Sequence, residues 1–320
     1  MKIRLIGKNA YQGLESGDST SFGQVAQSLG HVIVDSYKDA DVTVCVDYLK
    51  SSRRELVSSR LSGVKTVLIK QEPYVVIPEH RHENPGGFFD LVLPIGIPGK
   101  VTRAYGNTWA VAEDWRTKRI RRFVAITANK WSAVSGQLYT LRRRAYSSLE
   151  LLDLYGVGWD RPTTKHIEML GKEIILALNN LVIPSMPKKA DMFDVPRNYL
   201  GPVKDKLVTL AKYDYALIIE NSGHYMSEKL MDSLLAGNLP VYVGAPISSF
   251  GIPKQFVIQA SPVYESVREK LNQALEMDPN KHRKELKDWI SDSSIVAQWR
   301  ADFSVMRLIR EIEDFLKPAL

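Results

Sequence analysis

Short apolar runs alternate along the chain with longer segments whose apolar positions recur every three or four residues. The short runs are typical of buried β-strands, and the longer segments are typical of helices with one buried face. In the first third of the chain, strands are predicted at 2–6, 31–34, 42–46, 66–69 and 91–93, and helices at 23–29 and 52–61. Strands that alternate with helices imply parallel crossover connections, so the pattern predicts an α/β fold with a doubly wound sheet.

The alternation lapses in a Pro- and Gly-rich, then basic, stretch between Pro94 and Arg122, and afterwards it resumes. Beyond it, strands are predicted at 123–127, 154–155, 216–219 and 241–243, and helices at 137–150, 166–178, 203–212, 228–235, 266–276, 282–290 and 295–315. We therefore predict two Rossmann-like domains, 1–115 and 116–294, and a C-terminal helix, 295–320, that braces them. This is the GT-B architecture, in which ligands bind in a central cleft at the carboxyl ends of the strands.

Composition narrows the class of protein. Cys45 is the only cysteine among 320 residues, so the chain can form neither an internal disulfide nor a cysteine-based zinc site. No stretch reaches the roughly 18 apolar residues that a membrane-spanning helix needs. These features predict a cytoplasmic protein and leave peripheral contact with a membrane open.

The chain carries a net charge of +7, and much of it lies between Arg116 and Arg144, where nine Lys and Arg residues occur without Asp or Glu. A positive field of this kind favours phosphate-bearing partners, namely nucleotides, nucleic acid or anionic lipid. Aromatic residues lie among these cations, as they do on surfaces that bind single-stranded nucleic acid. Phe123 and Tyr139, however, fall on a predicted strand and helix, where core positions are the favoured interpretation.

The segment 220–229, ENSGHYMSEK, runs from the end of a predicted buried strand into the first turn of a predicted helix. Backbone N–H groups and the helix dipole favour an anion at such a turn, and Lys229 adds a full positive charge. Glu228 can accept hydrogen bonds from a ribose diol. The alternative interpretation is structural: Ser227 caps the helix, and Glu228 complements its dipole.

Residues 213–246, YDYALIIENSGHYMSEKLMDSLLAGNLPVYVGAP, resemble the signature of the α1,3/α1,4-fucosyltransferase family, glycosyltransferase family ten. Weaker matches lie at 123–129 (FVAITAN), from Arg142 to Gly156, and from Gly201 through Lys206 to Tyr213. The resemblance implies an inverting glycosyltransferase that moves fucose from GDP-fucose to a sugar hydroxyl of an oligosaccharide or lipid-linked glycan. GDP-fucose would be its donor substrate, and we expect no tightly bound cofactor.

The same resemblance implies a donor site. Its residues are Arg142, Tyr225, Glu228, Lys229, Asn221 and Asn129. Glu228 is expected to bind the ribose, and Lys229 and Arg142 the pyrophosphate. Fixed cations at that point would stabilise the charge that develops on the departing diphosphate.

An inverting transfer also needs a carboxylate that takes the proton of the acceptor hydroxyl. In the segment 66–73, TVLIKQEP, Glu72 follows a predicted buried strand and so lies at the carboxyl edge of the first sheet. It resembles the glutamate of the family's E-S-P motif, the proposed base, although the intervening serine is missing here. Glu79 and Glu83 in the following loop are the alternatives.

Other patterns are discounted or left open. Asp39-Ala40-Asp41 has the form of a metal-binding D-x-D tripeptide, but it precedes a strand, so we expect no bound metal. His80 and His82 lack further metal ligands nearby in sequence and are interpreted as polar residues of an acceptor loop.

Three alternative functions remain. Departures from the family at His224, Met226 and Ser227 leave open a GT-B transferase that uses a different nucleotide sugar. The other two are a nucleic-acid-binding protein that uses the basic stretch and a catalytically silent sugar-binding relative.

Overall fold

The structure, a computed structural model, describes residues 1–7, 22–96, 118–132, 134–160, 195–291 and 305–317. The chain divides into two compact units, one formed by residues 1–109 with 296–320 and the other by residues 110–295. The helices of the described residues are α1 (Phe22–Ser28), α2 (Arg53–Leu61), α3 (Tyr139–Ser148), α4 (Lys206–Leu210), α5 (Glu228–Leu235), α6 (Tyr264–Glu276), α7 (Pro279–Ile290) and α8 (Val305–Leu316). The predicted helix 166–178 lies outside the described residues.

A five-stranded parallel sheet forms the centre of the first unit. Its strands are β1 (Lys2–Ile6), β2 (Val32–Val34), β3 (Val42–Val46), β4 (Lys65–Lys70) and β5 (Leu91–Pro94). Across the sheet they follow the order β2-β1-β3-β4-β5. Every residue of the central strand β3 is buried, because a parallel sheet covered by helices has two dry faces.

Helix α8 belongs to the core of the first unit. Its apolar residues Val305, Leu308, Ile309 and Ile312 recur at helical spacing and pack with side chains of β1, β3 and β4. We predicted residues 295–320 as a separate bracing segment. In the structure, residues 296–320 are grouped with the first unit.

The second unit contains another five-stranded parallel sheet. Its strands are β6 (Ile120–Ile126), β7 (Leu152–Tyr155), β8 (Tyr213–Ile219), β9 (Leu239–Val243) and β10 (Ile258–Gln259), in the order β10-β9-β8-β6-β7. Strands β8 and β9 are buried along their whole length. The two-residue strand β10 was not predicted.

The carboxyl ends of β6 and β7 approach each other closely. Gly156, just after β7, has φ of +128°, and a Cβ atom there would lie 1.9 Å from the carbonyl oxygen of Thr127. Only glycine fits this position without displacing the neighbouring backbone. The close approach brings Asn129 to Gly158, whose carbonyl accepts a hydrogen bond from the Asn129 side chain at 2.9 Å.

Candidate functional site

The turn after β8 is built around a fully buried carboxylate, Glu220. Its side chain accepts hydrogen bonds from the backbone N–H of Ser227 at 2.7 Å and from the Ser227 hydroxyl. The Ser227 hydroxyl also caps α5 by accepting from the N–H of Lys229. Gly244 lies against this carboxylate, since a Cβ atom there would come within 2.8 Å of the Glu220 Cγ. The buried carboxylate therefore connects the end of β8 to the start of α5.

Lys229 lies in the first turn of α5, with its side chain 19% exposed. The Nζ donates to the Ser227 hydroxyl at 2.9 Å, and the nearest carboxylate oxygens of Glu220 and Glu228 lie 3.9 Å away. The pKa of Lys229 is lowered, chiefly by burial and also by the nearby charges of Arg142 and Lys206. The carboxylates of Glu228 and Glu220 act in the opposite direction and only partly offset this. Because its shortest contact is to a neutral hydroxyl, Lys229 can exchange that partner for an anion.

Glu228 lies between two lysines. Lys206 of α4 donates to Glu228 at 3.3 Å and to Asp232 at 2.6 Å. Burial alone would lower the pKa of Lys206, but the charges of Glu228 and Asp232 outweigh it and raise that pKa. For Asp232 the direction is the opposite: burial disfavours the charged carboxylate and raises its pKa against the charge of Lys206. Lys206, itself held by Asp232, thus pairs with the predicted ribose ligand at the start of α5.

Arg142 of α3 is 2% exposed, and its guanidinium is directed at the end of β8. Its Nε donates to the carbonyl of Ile219 at 3.0 Å, and its Nη2 donates to the side chain of Asn221 at 3.1 Å. The ring of Tyr139 lies 5.0 Å from the guanidinium carbon. In the structure these contacts stabilise the strand end, and the predicted pyrophosphate contact of Arg142 stays a prediction.

The other two predicted donor residues occupy different positions. The side chain of Tyr225 is buried beneath the turn, and its carbonyl accepts from the N–H of Ala245. Asn129 lies at the end of β6, where its side-chain oxygen accepts from Arg143 at 3.0 Å. The structure therefore pairs Arg142 with Asn221 and Glu228 with Lys229, with Arg142 close enough for its charge to lower the pKa of Lys229; Asn129 lies in a separate set of contacts.

In the first unit, Glu72 lies at the carboxyl edge of the sheet, two residues after β4. Its backbone N–H donates to the side chain of Asp47 at 3.0 Å, and the N–H of Gln71 donates to the same oxygen at 2.7 Å. Of the alternative bases, Glu79 is buried in the short helical turn Pro78–Arg81, and Glu83 is exposed. Half-buried Glu72 combines access to solvent with a fixed backbone.

The two histidines of this loop differ. His80 is buried, and its Nδ1 lies 2.7 Å from the carbonyl oxygen of Glu72. His82 is exposed, and its carbonyl accepts from the buried Lys70 at 2.6 Å. His80 is thus part of the internal structure of the loop, not one of its surface residues.

Arginine side chains of the basic stretch form hydrogen bonds and ion pairs with other residues of the chain. Arg119 donates to the carbonyls of Tyr213 and Ala236, and Arg122 pairs with Asp153 at 2.8 Å. Arg143 stacks on Trp159 and donates to Asn129. These internal contacts, together with the buried Phe123 and Tyr139, disfavour the interpretation of the stretch as a nucleic-acid surface.

The described residues contain neither a cluster of metal ligands nor a helix that could span a membrane. In those parts of the chain, no three His, Cys, Asp or Glu residues cluster as metal ligands. None of the helices that the structure describes is long and apolar enough to cross a bilayer.

Proteins of known structure share this fold. An α1,3-fucosyltransferase structure is 14% identical to this chain, with a TM-score of 0.52; the match covers 100% of this chain and 91% of that chain. A second α1,3-fucosyltransferase structure, with GDP, gives a TM-score of 0.53. The Anabaena protein HepE, in complex with UDP and glucose, is 12% identical, with 98% and 91% covered and a TM-score of 0.55. A UDP-forming α,α-trehalose-phosphate synthase from Burkholderia xenovorans is 12% identical, with 97% and 79% covered and a TM-score of 0.51. No protein-family model and no curated protein matches the chain.

The two parallel sheets and the whole-chain matches confirm the predicted α/β, GT-B fold. The resemblance to α1,3-fucosyltransferases noted in the sequence is matched by a resemblance in structure. At 12–14% identity this likeness shows the fold alone.

The sequence did not single out Asp47 in the first unit, and it did not indicate which contacts Lys206 and Glu220 make in the second. Asp47 directly follows the buried strand β3, so the strand-end rule that selected Glu72 could have selected it as well. Lys206 and Glu220 were present in the quoted motifs, but no pattern indicated that they would contact Glu228 and Ser227.

Proposed function

We propose that the chain is an inverting GT-B glycosyltransferase whose second unit binds a nucleotide-sugar donor. The observation that carries the proposal is the partly exposed Lys229 at the N-terminus of α5, with two further cations, Arg142 and Lys206, close enough to lower its pKa. A helix N-terminus with a cation beside it is a favourable environment for phosphate. The GT-B fold supports the choice of nucleotide sugars among phosphate ligands.

The residues divide the chemistry between them. Lys229 would stabilise the negative charge that grows on the diphosphate as the glycosyl bond breaks. Glu228, fixed by Lys206, would accept hydrogen bonds from the ribose hydroxyls. Glu72 in the first unit would take the proton of the acceptor hydroxyl as that oxygen attacks the sugar.

GDP-fucose is the donor that we propose, because the signature over 213–246 is similar to that of fucosyltransferases, and an α1,3-fucosyltransferase shares the fold. The second candidate is a UDP-sugar. HepE was solved with UDP and glucose, and the trehalose-phosphate synthase is UDP-forming. The acceptor in either case would be a hydroxyl of an oligosaccharide or lipid-linked glycan.

Calorimetry with GDP and UDP tests the donor site. Lys229→Ala should weaken binding of the preferred nucleotide about tenfold or more, because a charge-assisted contact to phosphate is lost, and should lower turnover by about 100- to 1,000-fold. Lys284→Ala, an exposed lysine of α7, is the matched control and should change neither.

A panel of GDP- and UDP-sugars, assayed for nucleotide release in the presence of glycan acceptors, then identifies the sugar. If Lys229→Ala bound GDP and UDP as tightly as the wild type does, the assignment of the phosphate site would be contradicted.

A further inference from the structure

Two buried side chains bond both backbone groups of Glu72. Asp47 is fully buried at the end of β3, and its φ of +60° lies in the left-handed region. That conformation is uncommon outside glycine, although Asp and Asn tolerate it best. It allows one carboxylate oxygen to accept the N–H groups of both Gln71 and Glu72. The backbone N–H of Glu72 is thereby anchored to the neighbouring strand of the sheet.

His80 bonds the other side of the same residue. The Glu72 carbonyl can only accept, so the 2.7 Å contact requires a proton on Nδ1 of His80. Burial above all, and also the charge of Lys70, lowers the pKa of His80 to about 4, against the opposing influence of the Glu72 and Glu79 carboxylates. The ring is therefore neutral near pH 7, and its Nε2 has no hydrogen-bond partner within the described part of the chain.

Lys70 fixes the far end of this loop. Its buried ammonium donates to the carbonyl of His82 at 2.6 Å. The loop 71–82 is thus held by buried polar side chains at Glu72, at His80 and at His82. Burying a carboxylate and an ammonium is costly unless their hydrogen bonds are satisfied, and here those bonds converge on the segment that carries the candidate base.

We infer that Asp47 and His80 are positioning residues, which hold the backbone of Glu72 so that its carboxylate meets the acceptor hydroxyl. The inference rests on the proposed function, because it requires Glu72 to be the base. A positioning role differs from a purely structural role in one measurable respect. A positioning residue loses its effect on turnover once the group that it positions has been removed.

A double-mutant cycle makes this measurement. Asp47→Ala should lower kcat by about 10- to 100-fold, the loss expected from a displacement of about 1 Å, and should leave KM for the nucleotide sugar within about twofold. In a Glu72→Gln background the same substitution should lower the residual kcat by less than about threefold. Asp47→Asn keeps an acceptor oxygen and tolerates the positive φ, so it should recover most of the wild-type rate.

His80, whose Nδ1 lies 3.8 Å from the Asp47 carboxylate, gives a second cycle, which serves if Asp47→Ala fails to fold. His80→Asn can place an amide N–H near the position of Nδ1, whereas His80→Ala removes the donor. We expect His80→Asn to retain more activity than His80→Ala, and we expect this difference to vanish when Glu72 is Gln. Equal losses in both Glu72 backgrounds would overturn the inference and leave a structural role.

Hydrogen exchange provides a readout that does not depend on activity. Asp47→Ala should accelerate exchange of the amides at 71 and 72, and Asp47→Asn should restore much of their protection. GDP binding by calorimetry should be the same in both variants, because the proposed donor site lies in the second unit. Unchanged exchange in Asp47→Ala would overturn the inference alone. A wild-type protein that turns over none of the nucleotide sugars would overturn the proposed function and this inference together.

Discussion

Asp47 in the first unit and Glu220 in the second are both fully buried carboxylates that directly follow a parallel strand. Asp47 accepts two backbone N–H groups of the loop after β4. Glu220 accepts from Ser227 and lies 3.9 Å from the ammonium of Lys229. The position directly after a buried strand therefore serves two purposes: Asp47 holds the backbone of a loop, and Glu220 holds the start of a helix next to a cation.

The difference shows how each sheet edge suits its proposed chemistry. At the first edge the carboxylate of Asp47 accepts from neutral amides, and those bonds hold backbone in place. At the other edge, three carboxylates (Glu220, Glu228 and Asp232) face the three cations Lys206, Lys229 and Arg142. An anionic ligand can enter such a network by exchanging partners, since the cations that would bind it are already in place.

Replacing Glu220 and Asp47 by their neutral amides should give the largest difference in the free energy of unfolding between the two edges. Glu220→Gln removes the charge of a fully buried acceptor that bonds the Ser227 N–H and hydroxyl and lies 3.9 Å from Lys229, so it should lower the free energy of unfolding by about 3 kcal/mol. Asp47→Asn still offers an oxygen to the two amides and should cost about 1 kcal/mol. Urea denaturation of both variants measures the difference.

Glu285→Gln, on the exposed face of α7, is the matched control and should leave stability within about 0.5 kcal/mol of wild type. Equal losses for Glu220→Gln and Asp47→Asn would contradict the distinction that we draw between the two edges.

Acidification should affect the two units alike, because each buries a neutral histidine. His80 bonds to the carbonyl of Glu72, and His282 to that of Asn238; burial foremost lowers the pKa of each to about 4. At pH 7.5 both rings are largely neutral in the folded and the unfolded chain. As the pH falls towards 4, the unfolded chain binds protons first, so stability decreases.

Between pH 7.5 and pH 5 the loss should be about 2 kcal/mol for each histidine. His282→Gln can keep a donor to the Asn238 carbonyl and should remove one of these two contributions, whereas His224→Gln, an exposed control, should remove none. Urea denaturation at several pH values tests this. A slope that His282→Gln leaves unchanged would show that the buried ring contributes nothing to the pH dependence.

Much of the fold could be predicted, because parallel strands buried on both faces are short, uninterrupted apolar runs. The observed bounds Lys2–Ile6, Val42–Val46 and Glu228–Leu235 agree with the predicted bounds residue for residue. Strand β8 begins three residues earlier than predicted. The prediction began too late because Asp214 interrupts the apolar run in the sequence. That charge is accommodated in the strand by an ion pair with Arg283 at 2.9 Å.

The candidate site was predictable where it is local in sequence. Glu228 and Lys229 follow a strand end by a short turn, so one segment contains the whole signal. Asp47 bonds to residues 24 and 25 positions away, and Lys206 bonds to residues 22 and 26 positions away. Such contacts depend on which strands are neighbours and on how helices pack over them, and neither is encoded in a local pattern.

The caps of α5 and α7 give the finest test of the comparison. Ser227 and Asp278 both accept an N–H of the first helical turn, at Lys229 and at Asn280. Only Ser227 also donates to a buried carboxylate. Asp278→Ala should therefore cost the ordinary value of a helix cap, about 1 kcal/mol, and Ser227→Ala should cost about 1 kcal/mol more because a hydrogen bond to a charged group is lost as well.

Combining each cap variant with Glu220→Gln distinguishes the two contributions. The Asp278→Ala loss should add to that of Glu220→Gln within about 0.5 kcal/mol, since the two sites share no contact. The Ser227→Ala loss should fall by about 1 kcal/mol in the Glu220→Gln background, because the charged acceptor of its hydroxyl is gone. If both pairs proved additive, Glu220 and Ser227 would be independent, and the connection that we draw from the strand end through the cap to Lys229 would have to be abandoned.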